Sequence, residues 1–264
     1  MNQKTAFSIV ALSLCGLIAC ARPTTNVHKL PDDTLAAVSD TVASVRMYLV
    51  EEDFEKAAER LGVEVATIKA VVEVEAGSAH KGFWKDGKPL INFSINQFRT
   101  NARKRGVNLS KYTKSHPIVF SGASRQKYGS QQAAVQARLD AARSIHDTAA
   151  IEATFWGMFQ IGGFNWKLCG LSSPQELAER MSRSESDQLE LFINFIENTG
   201  LKPKLQAKDW SGFARGYNGP SYLQRGYHTK LARAYAKHNK PSAKPAEKTE
   251  EKAAEQAEEM GNVS

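Results

Sequence analysis

The chain has 264 residues, 42% of them hydrophobic and 24% charged, with a formal net charge of +7. This composition fits a globular domain with extensions at its ends, while the charge favours a polyanion without choosing among nucleic acid, anionic membrane and bacterial cell wall. A nucleic-acid reading requires a basic stripe interleaved with aromatics, and the nearest segment, Arg99 to Lys114 with Arg103, Lys104, Arg105 and Lys111, has no such motif and reads as a solvated basic face.

In chain order, Lys4 is followed by the apolar run Ala6 to Ile18, too short and too early for a domain helix or a membrane span, and it reads as a secretory signal. Its end, Leu17-Ile18-Ala19-Cys20, resembles the lipobox of bacterial lipoproteins, in which the cysteine is acylated and becomes the new N-terminus. The resemblance implies that residues 1–19 are removed and that Cys20 is the lipidation site, with several acyl chains giving stable membrane anchoring. Ala21 follows in place of the Asp that signals inner-membrane retention, so the sorting rule implies the periplasmic face of an outer membrane. Cys15 then leaves with the signal and Cys169 stands alone, so no intrachain disulfide is expected. Within Leu168-Cys169-Gly170-Leu171 it reads as a buried, inert thiol.

Residues 20–45 comprise the lipidated cysteine, an aperiodic tether with Pro23, Asn26 and Pro31, and the start of a helical region with Leu35, Val38, Val42 and Val45. The spacing predicts a helix from about Asp53 through Phe54, Ala57, Ala58 and Leu61, broken by Gly62, and another that starts near Thr67 and ends at Glu75. After Gly77, the Asp86-Gly87 pair between Phe83-Trp84 and Leu90 to Phe93 is a hairpin signature. Ser110 to Gly129 reads as a long polar loop, and Gln131 to Ile145 as a helix. The segment Phe155 to Asn165 packs aromatics around Gly157, Gly162 and Gly163. Pro174 opens a helix with Leu177 and Met181, and Leu189 to Ile196 make another, stopped by Gly200. Gly216 to Pro220 reads as a turn cluster and Tyr227 to His238 as the last helix. The catalytic-type domain is expected over 46–238, with a disordered charged tail over 239–264.

Glu75 is the residue that calls for chemistry. Ile68, Val72 and Glu75 fall at i, i+4 and i+7, so Glu75 continues the apolar stripe begun by Leu61 and Val65, whereas Glu73 lies on a polar face. Gly77 can supply the left-handed end of the helix, leaving Glu75 inward in the last turn. Desolvation raises the pKa of such a carboxyl, and a Glu tuned to roughly 6 or 7 is a general acid still protonated near neutral pH. The bland alternative is a helix-end Glu that reaches water or caps a loop.

Three pieces line up with it: Glu75-Ala76-Gly77, Gly157-Met158-Phe159-Gln160-Ile161 and Tyr217-Asn218-Gly219. In this order, on a mainly helical scaffold, they resemble the Glu-Ser-Gly, Gly-Leu-Met-Gln and Ala-Tyr-Asn signatures of lysozyme-like lytic transglycosylases. Closer is the resemblance to the phage-endolysin-type N-acetylmuramidase family, whose Trp-Gly-Met-Phe-Gln-Ile and Ala-Arg-Gly-Tyr-Asn-Gly-Pro blocks stand here as Trp156 to Ile161 and Ala214 to Pro220. Asp86 to Pro89 and Thr229 to Ala232 extend the similarity, which covers roughly Phe54 to Lys237.

The resemblance implies a mainly α, lysozyme-like domain with a small β-hairpin beside the cleft. It implies peptidoglycan as partner and cleavage of the bond between N-acetylmuramic acid and N-acetylglucosamine, with Glu75 as general acid. Gln160, Tyr217 and Asn218 are expected to meet the sugar or orient the acid, and Trp84 and Phe159 to stack on sugar faces, although aromatics beside glycines are usually core. Family members follow the hairpin with Phe-Glu and a His two residues later, where this chain has Phe93-Ser94-Ile95-Asn96. Ser94 and Asn96 are therefore kept as substrate-side candidates, and a second carboxylate is missing. Glu152 and Asp209 could supply that charge, though a solvated helix face is their better reading. Hydrolysis is the expected reaction; lytic transglycosylation and peptidoglycan binding without turnover are the alternatives. The histidines are scattered, so no metal or cofactor is expected, and neither is nucleic acid; the chain is expected to be a monomer.

Overall fold

The computed structural model describes residues 46–77, 81–122 and 125–240. The signal, Cys20, the tether, the helical pattern from Leu35 and the tail beyond residue 240 lie outside the described residues. Helix α1 (Glu51–Leu61) starts where the Asp53 carboxylate accepts from the Val50 amide at 2.8 Å and ends at Gly62, left-handed with φ 65°. Helix α2 (Val65–Glu75) follows after three residues. Its Ala66, Thr67, Ile68, Ala70, Val71 and Val72 are all buried, so this helix is covered on nearly every side.

Strands β1 (Phe83–Lys85) and β2 (Lys88–Pro89) form the expected hairpin about Asp86-Gly87, but the run after it departs from that reading. Strand β3 (Ile91–Phe93) crosses into a second antiparallel sheet with β4 (Thr154–Trp156), which in turn pairs with β5 (Ile161–Gly162). Helix α3 (Ile95–Lys104) begins at Ser94, whose hydroxyl accepts from the Gln97 amide. The expected loop that follows is instead largely helical: a 3-10 turn at Leu109–Tyr112, α4 (Pro117–Ser121) and α5 (Arg125–Tyr128). Leu109 and Val119 anchor it in the core, and its apolar residues are bunched at Ile118 to Phe120 with none spaced at a helical period.

Four later helices stand where the sequence places them, α6 (Gln131–Ile145), α8 (Pro174–Met181), α9 (Glu185–Asn198) and α13 (Tyr227–His238), whereas α7 (Asp147–Glu152), α10 (Lys202–Gln206), α11 (Trp210–Asn218) and α12 (Tyr222–Arg225) are helices that the sequence reading did not give. Caps account for several starts, with Ser130, Ser173 and Ser184 accepting from amides in the first turns of α6, α8 and α9. Gly216, Tyr217 and Asn218 are not a turn but the last turn of α11. Asp209 caps that helix by accepting from the Gly212 amide at 2.8 Å, and Phe213 and Ala214 bury its inner face.

Packing centres on α2, covered by α1 and by α13. Glu73 pairs with Lys237 and His238 at 2.8 Å each, and Glu64 with Tyr235 and Lys208, tying the two ends of α2 to the chain's later helices. A second tie joins the loops. Gln188, fully buried on α9, accepts from the Met158 amide and donates to the Met181 carbonyl at 2.8 Å each, and reaches the Gly82 carbonyl at 3.4 Å. A Cβ at Gly82 or Gly157 would fall 2.3 or 2.5 Å from its amide oxygen, which is why both positions need glycine.

Candidate active site

Four elements converge on a cleft of about 360 Å³. The last turn of α2 delivers Glu75, the β4–β5 loop Phe159 and Gln160, the end of α11 Tyr217 and Asn218, and the α12–α13 junction Arg225 and Tyr227. Glu75 follows Ile68 and Val72 inward, as the spacing predicts, and its helix gives way to Gly77 at φ 67°. Both carboxyl oxygens accept from Asn218 Nδ2, at 3.3 and 3.2 Å. Burial pushes the Glu75 pKa up to about 7; the Asn218 hydrogen bond and the Lys230 charge pull it down without offsetting that burial. The result is a carboxyl in the wall of a cleft that exchanges its proton near neutrality.

Tyr217 serves the walls of this site. Its hydroxyl donates to the Phe159 carbonyl at 2.7 Å, and its ring lies stacked on Phe213 and edge-on to Phe192 and Phe195. Burial and the neighbouring Glu75 charge hold the phenol well above its ordinary pKa, so it stays a neutral donor. Gln160 adopts a left-handed conformation, φ 48°, and its side-chain amide donates to the Gly157 carbonyl at 2.8 Å, closing the loop on itself while the residue stays exposed.

Phe159 is not a sugar platform. It is 2% exposed and its face stacks on Phe192 with centroids 4.3 Å apart, leaving only an edge toward the cleft. The exposed aromatic of the cleft is Phe164, 47% accessible and braced edge-on by Phe155. Trp84, Ser94 and Asn96 do not line the cleft. Trp84 lies part-buried in β1, Ser94 is spent as the cap of α3, and Asn96 is exposed in that helix's first turn, where its carbonyl accepts from Thr100. Trp156 is core, with its indole donating to the Ile151 carbonyl.

Neither spare carboxylate supplies a second charge. Glu152 is paired with Arg105 at 2.7 Å, and Asp209 with Lys204 and the start of α11. Among the described residues Glu75 is the one carboxylate lining the cleft, and no group of three or more His, Cys, Asp or Glu is placed to hold a metal ion. Cys169 is fully buried and its thiol is pushed up to about 12 by burial, an inert group as expected. No described helix is long and apolar enough to cross a membrane. Phe164, Asn165, Arg225 and Tyr227 are cleft residues that sequence reasoning misses, because they belong to no motif block and become neighbours only when α12 and α13 fold over the β4–β5 loop.

Residues 64–239 match the family model described as Muramidase, N-acetylmuramidase. Among solved structures the chain is similar to a Burkholderia AP3 phage endolysin, with 35% identity and a TM-score of 0.61 over 72% of this chain and 70% of that one. Curated proteins give no match. The matched span contains Glu75 and every other residue named around the cleft, and the chain belongs to the N-acetylmuramidase family of peptidoglycan-cleaving glycosidases.

Proposed function

We propose that this chain hydrolyses the β-1,4 bond between N-acetylmuramic acid and N-acetylglucosamine, with Glu75 as the general acid. One observation carries the reading: a single carboxyl lining the cleft, raised to about 7 by burial and held by Asn218. Protonated Glu75 gives its proton to the glycosidic oxygen as the bond to C1 breaks, and positive charge builds on the ring carbon and oxygen. The carboxylate left behind is stabilised by the Asn218 amide and by the Lys230 charge, the two groups that favour its ionised form. Water then adds to C1, and Glu75 regains a proton to complete the cycle. Phe164, the exposed aromatic, offers a face to a sugar ring, and Gln160 an amide at the rim.

The test is mass analysis of fragments released from purified peptidoglycan by the parent chain and by Glu75→Gln. Reducing muramic ends that disappear in the variant support hydrolysis. Release of 1,6-anhydro ends would replace it with transglycosylation, and equal activity of the variant would remove Glu75 from the role.

We propose further that Cys20 carries the lipid anchor and holds the domain on the periplasmic face of an outer membrane, on the strength of the Leu17 to Cys20 pattern. Incorporation of a labelled fatty acid that survives a Cys20→Ala change would refute it.

A further inference from the structure

Several arginines of this domain are held by carboxylates: Arg60 by Glu197, Arg105 by Glu152, Arg143 by Asp147 and Arg180 by Asp187. Among the described residues Arg225 is the one Lys or Arg that lines the cleft. It closes α12, is exposed, lines the cleft, and among the described residues has no carboxylate and no hydrogen-bond acceptor for its side chain. Two residues on, Tyr227 also lines the cleft and carries the Lys230 ammonium over its ring, 5.4 Å from the centroid, so a second cation flanks the same wall. The one carboxyl facing them, Glu75, is engaged by Asn218 and is largely protonated below neutral pH. The cleft therefore presents positive charge with no matching negative charge of its own.

The two sugars of peptidoglycan differ in that respect. Glucosaminyl residues are neutral, whereas each muramyl residue bears a lactyl ether, which ends in a free carboxylate where the stem peptide has been removed and in a carboxylate-bearing peptide where it has not. A guanidinium presents a planar fork of donors that matches a carboxylate two-to-two, so it recognises this group by geometry as well as charge. We propose that Arg225 is a specificity-determining residue that binds a carboxylate on the muramyl side of the substrate and sets the cleft's preference for muramic-acid glycan over neutral chitin-like glycan. This rests on the hydrolytic reading above. The carboxylate has two sources, lactyl or stem peptide, and the substrates below separate them.

The experiment compares the full chain with Arg225→Gln and Arg225→Lys on intact peptidoglycan, on strands stripped of peptides by an amidase, and on stripped strands with their carboxyls methyl-esterified. Arg225→Gln is expected to lower kcat/KM about tenfold, mainly through KM, as befits one lost charge-assisted pair. Arg225→Lys is expected in between, since it keeps the charge and loses the fork. A loss confined to stripped strands assigns the lactyl carboxylate, and one confined to intact material assigns the stem peptide. Esterification is expected to bring the parent down to the level of Arg225→Gln, with no further loss when both changes are combined. Sedimentation of Glu75→Gln with insoluble peptidoglycan, with and without Arg225→Gln, reads the same contact without turnover. Equal kcat/KM and equal sedimentation for parent and Arg225→Gln backgrounds on both carboxylate-bearing substrates would overturn the inference and leave Glu75 untouched. Full activity of Glu75→Gln would overturn the underlying mechanism instead, and the sedimentation result would still decide for or against Arg225.

Discussion

Asn218 Nδ2 stands 3.2 and 3.3 Å from the two carboxyl oxygens of Glu75, although 143 positions separate the two residues in the chain. A donor shared by both oxygens favours the anion, so it works against the burial that keeps the group protonated. The proposed acid is thus set by opposed effects, each removable by a single substitution.

Activity is expected to fall as the pH rises above about 7, where Glu75 loses its proton. Asn218→Ala removes a group that favours the carboxylate, so the falling limb of the profile should move to higher pH, while kcat drops roughly ten- to a hundredfold as the acid loses its orientation. Lys230→Gln should move the limb in the same direction with a smaller loss of rate, because the charge acts at a distance. Rate profiles of the three chains between pH 5 and 9, a range chosen to span the limb by about two units on each side, would check this; a limb moving downward in either variant contradicts the assigned electrostatics.

Stability should carry the same signature. The folded pKa of Glu75, about 7, lies above the ordinary value of 4.5, so the native chain holds a proton that the unfolded chain releases between those values. The associated stability is fully present below 4.5 and is lost as pH rises through 7. At about 1.4 kcal/mol per pH unit the loss is at most about 3.5 kcal/mol. Glu75→Gln does not titrate, so it should gain on the parent in urea unfolding above neutrality and show no such gain in acid. A difference independent of pH would count against the buried, protonated carboxyl.

Two phenylalanines of the β4–β5 region should separate cleanly. Phe159→Ala empties a buried stack against Phe192 and is expected to cost about 3–5 kcal/mol. Phe164→Ala, at a position 47% exposed, is expected to change stability by about 1 kcal/mol or less while raising KM for glycan. Thermal unfolding alongside steady-state kinetics tests both; a stability loss at Phe164 as large as that at Phe159 would make it a core residue.

Gln188→Leu keeps the bulk near that of the amide but strips the Met158 amide and Met181 carbonyl of their partner in a buried place. A loss of about 2–4 kcal/mol in the urea-derived stability is expected, with the slope little changed. Unaltered stability would mean that water enters and replaces the side chain.

The helices were legible where period, cap and stop agree. Ser130, Ser173 and Ser184 cap helices whose apolar positions recur on one face, and Tyr227 to His238 has the bounds its pattern predicts. Glu75 was legible for the same reason, since its register follows from Ile68 and Val72. Pairing across long separations was not: Ile91 to Phe93 looks like a hairpin's second arm, and nothing local indicates that Trp156 is its partner. Phe159 misleads because Gly157 at φ 70° and Gln160 at φ 48° turn it inward, a reversal that composition does not encode. Ser94 is a site candidate in the sequence because it stands where the family it resembles has a Glu, whereas its hydroxyl is used to start a helix. Arg225 and Phe164 sit in unremarked stretches, and only tertiary folding gives them a common wall.

The cover that α13 provides over α2 has a bearing on when the molecule becomes active. The helix bearing Glu75 is made early in synthesis, yet its covering surface comes from the last described helix, with Lys237 and His238 closing onto Glu73. A nascent chain that has not yet emitted Tyr227 to His238 lacks both that cover and the Tyr227 wall of the cleft. On the proposed mechanism, competence to cut glycan is therefore expected among the last properties the growing polypeptide acquires, and a chain that ends before Tyr227 is expected to release no fragments from peptidoglycan.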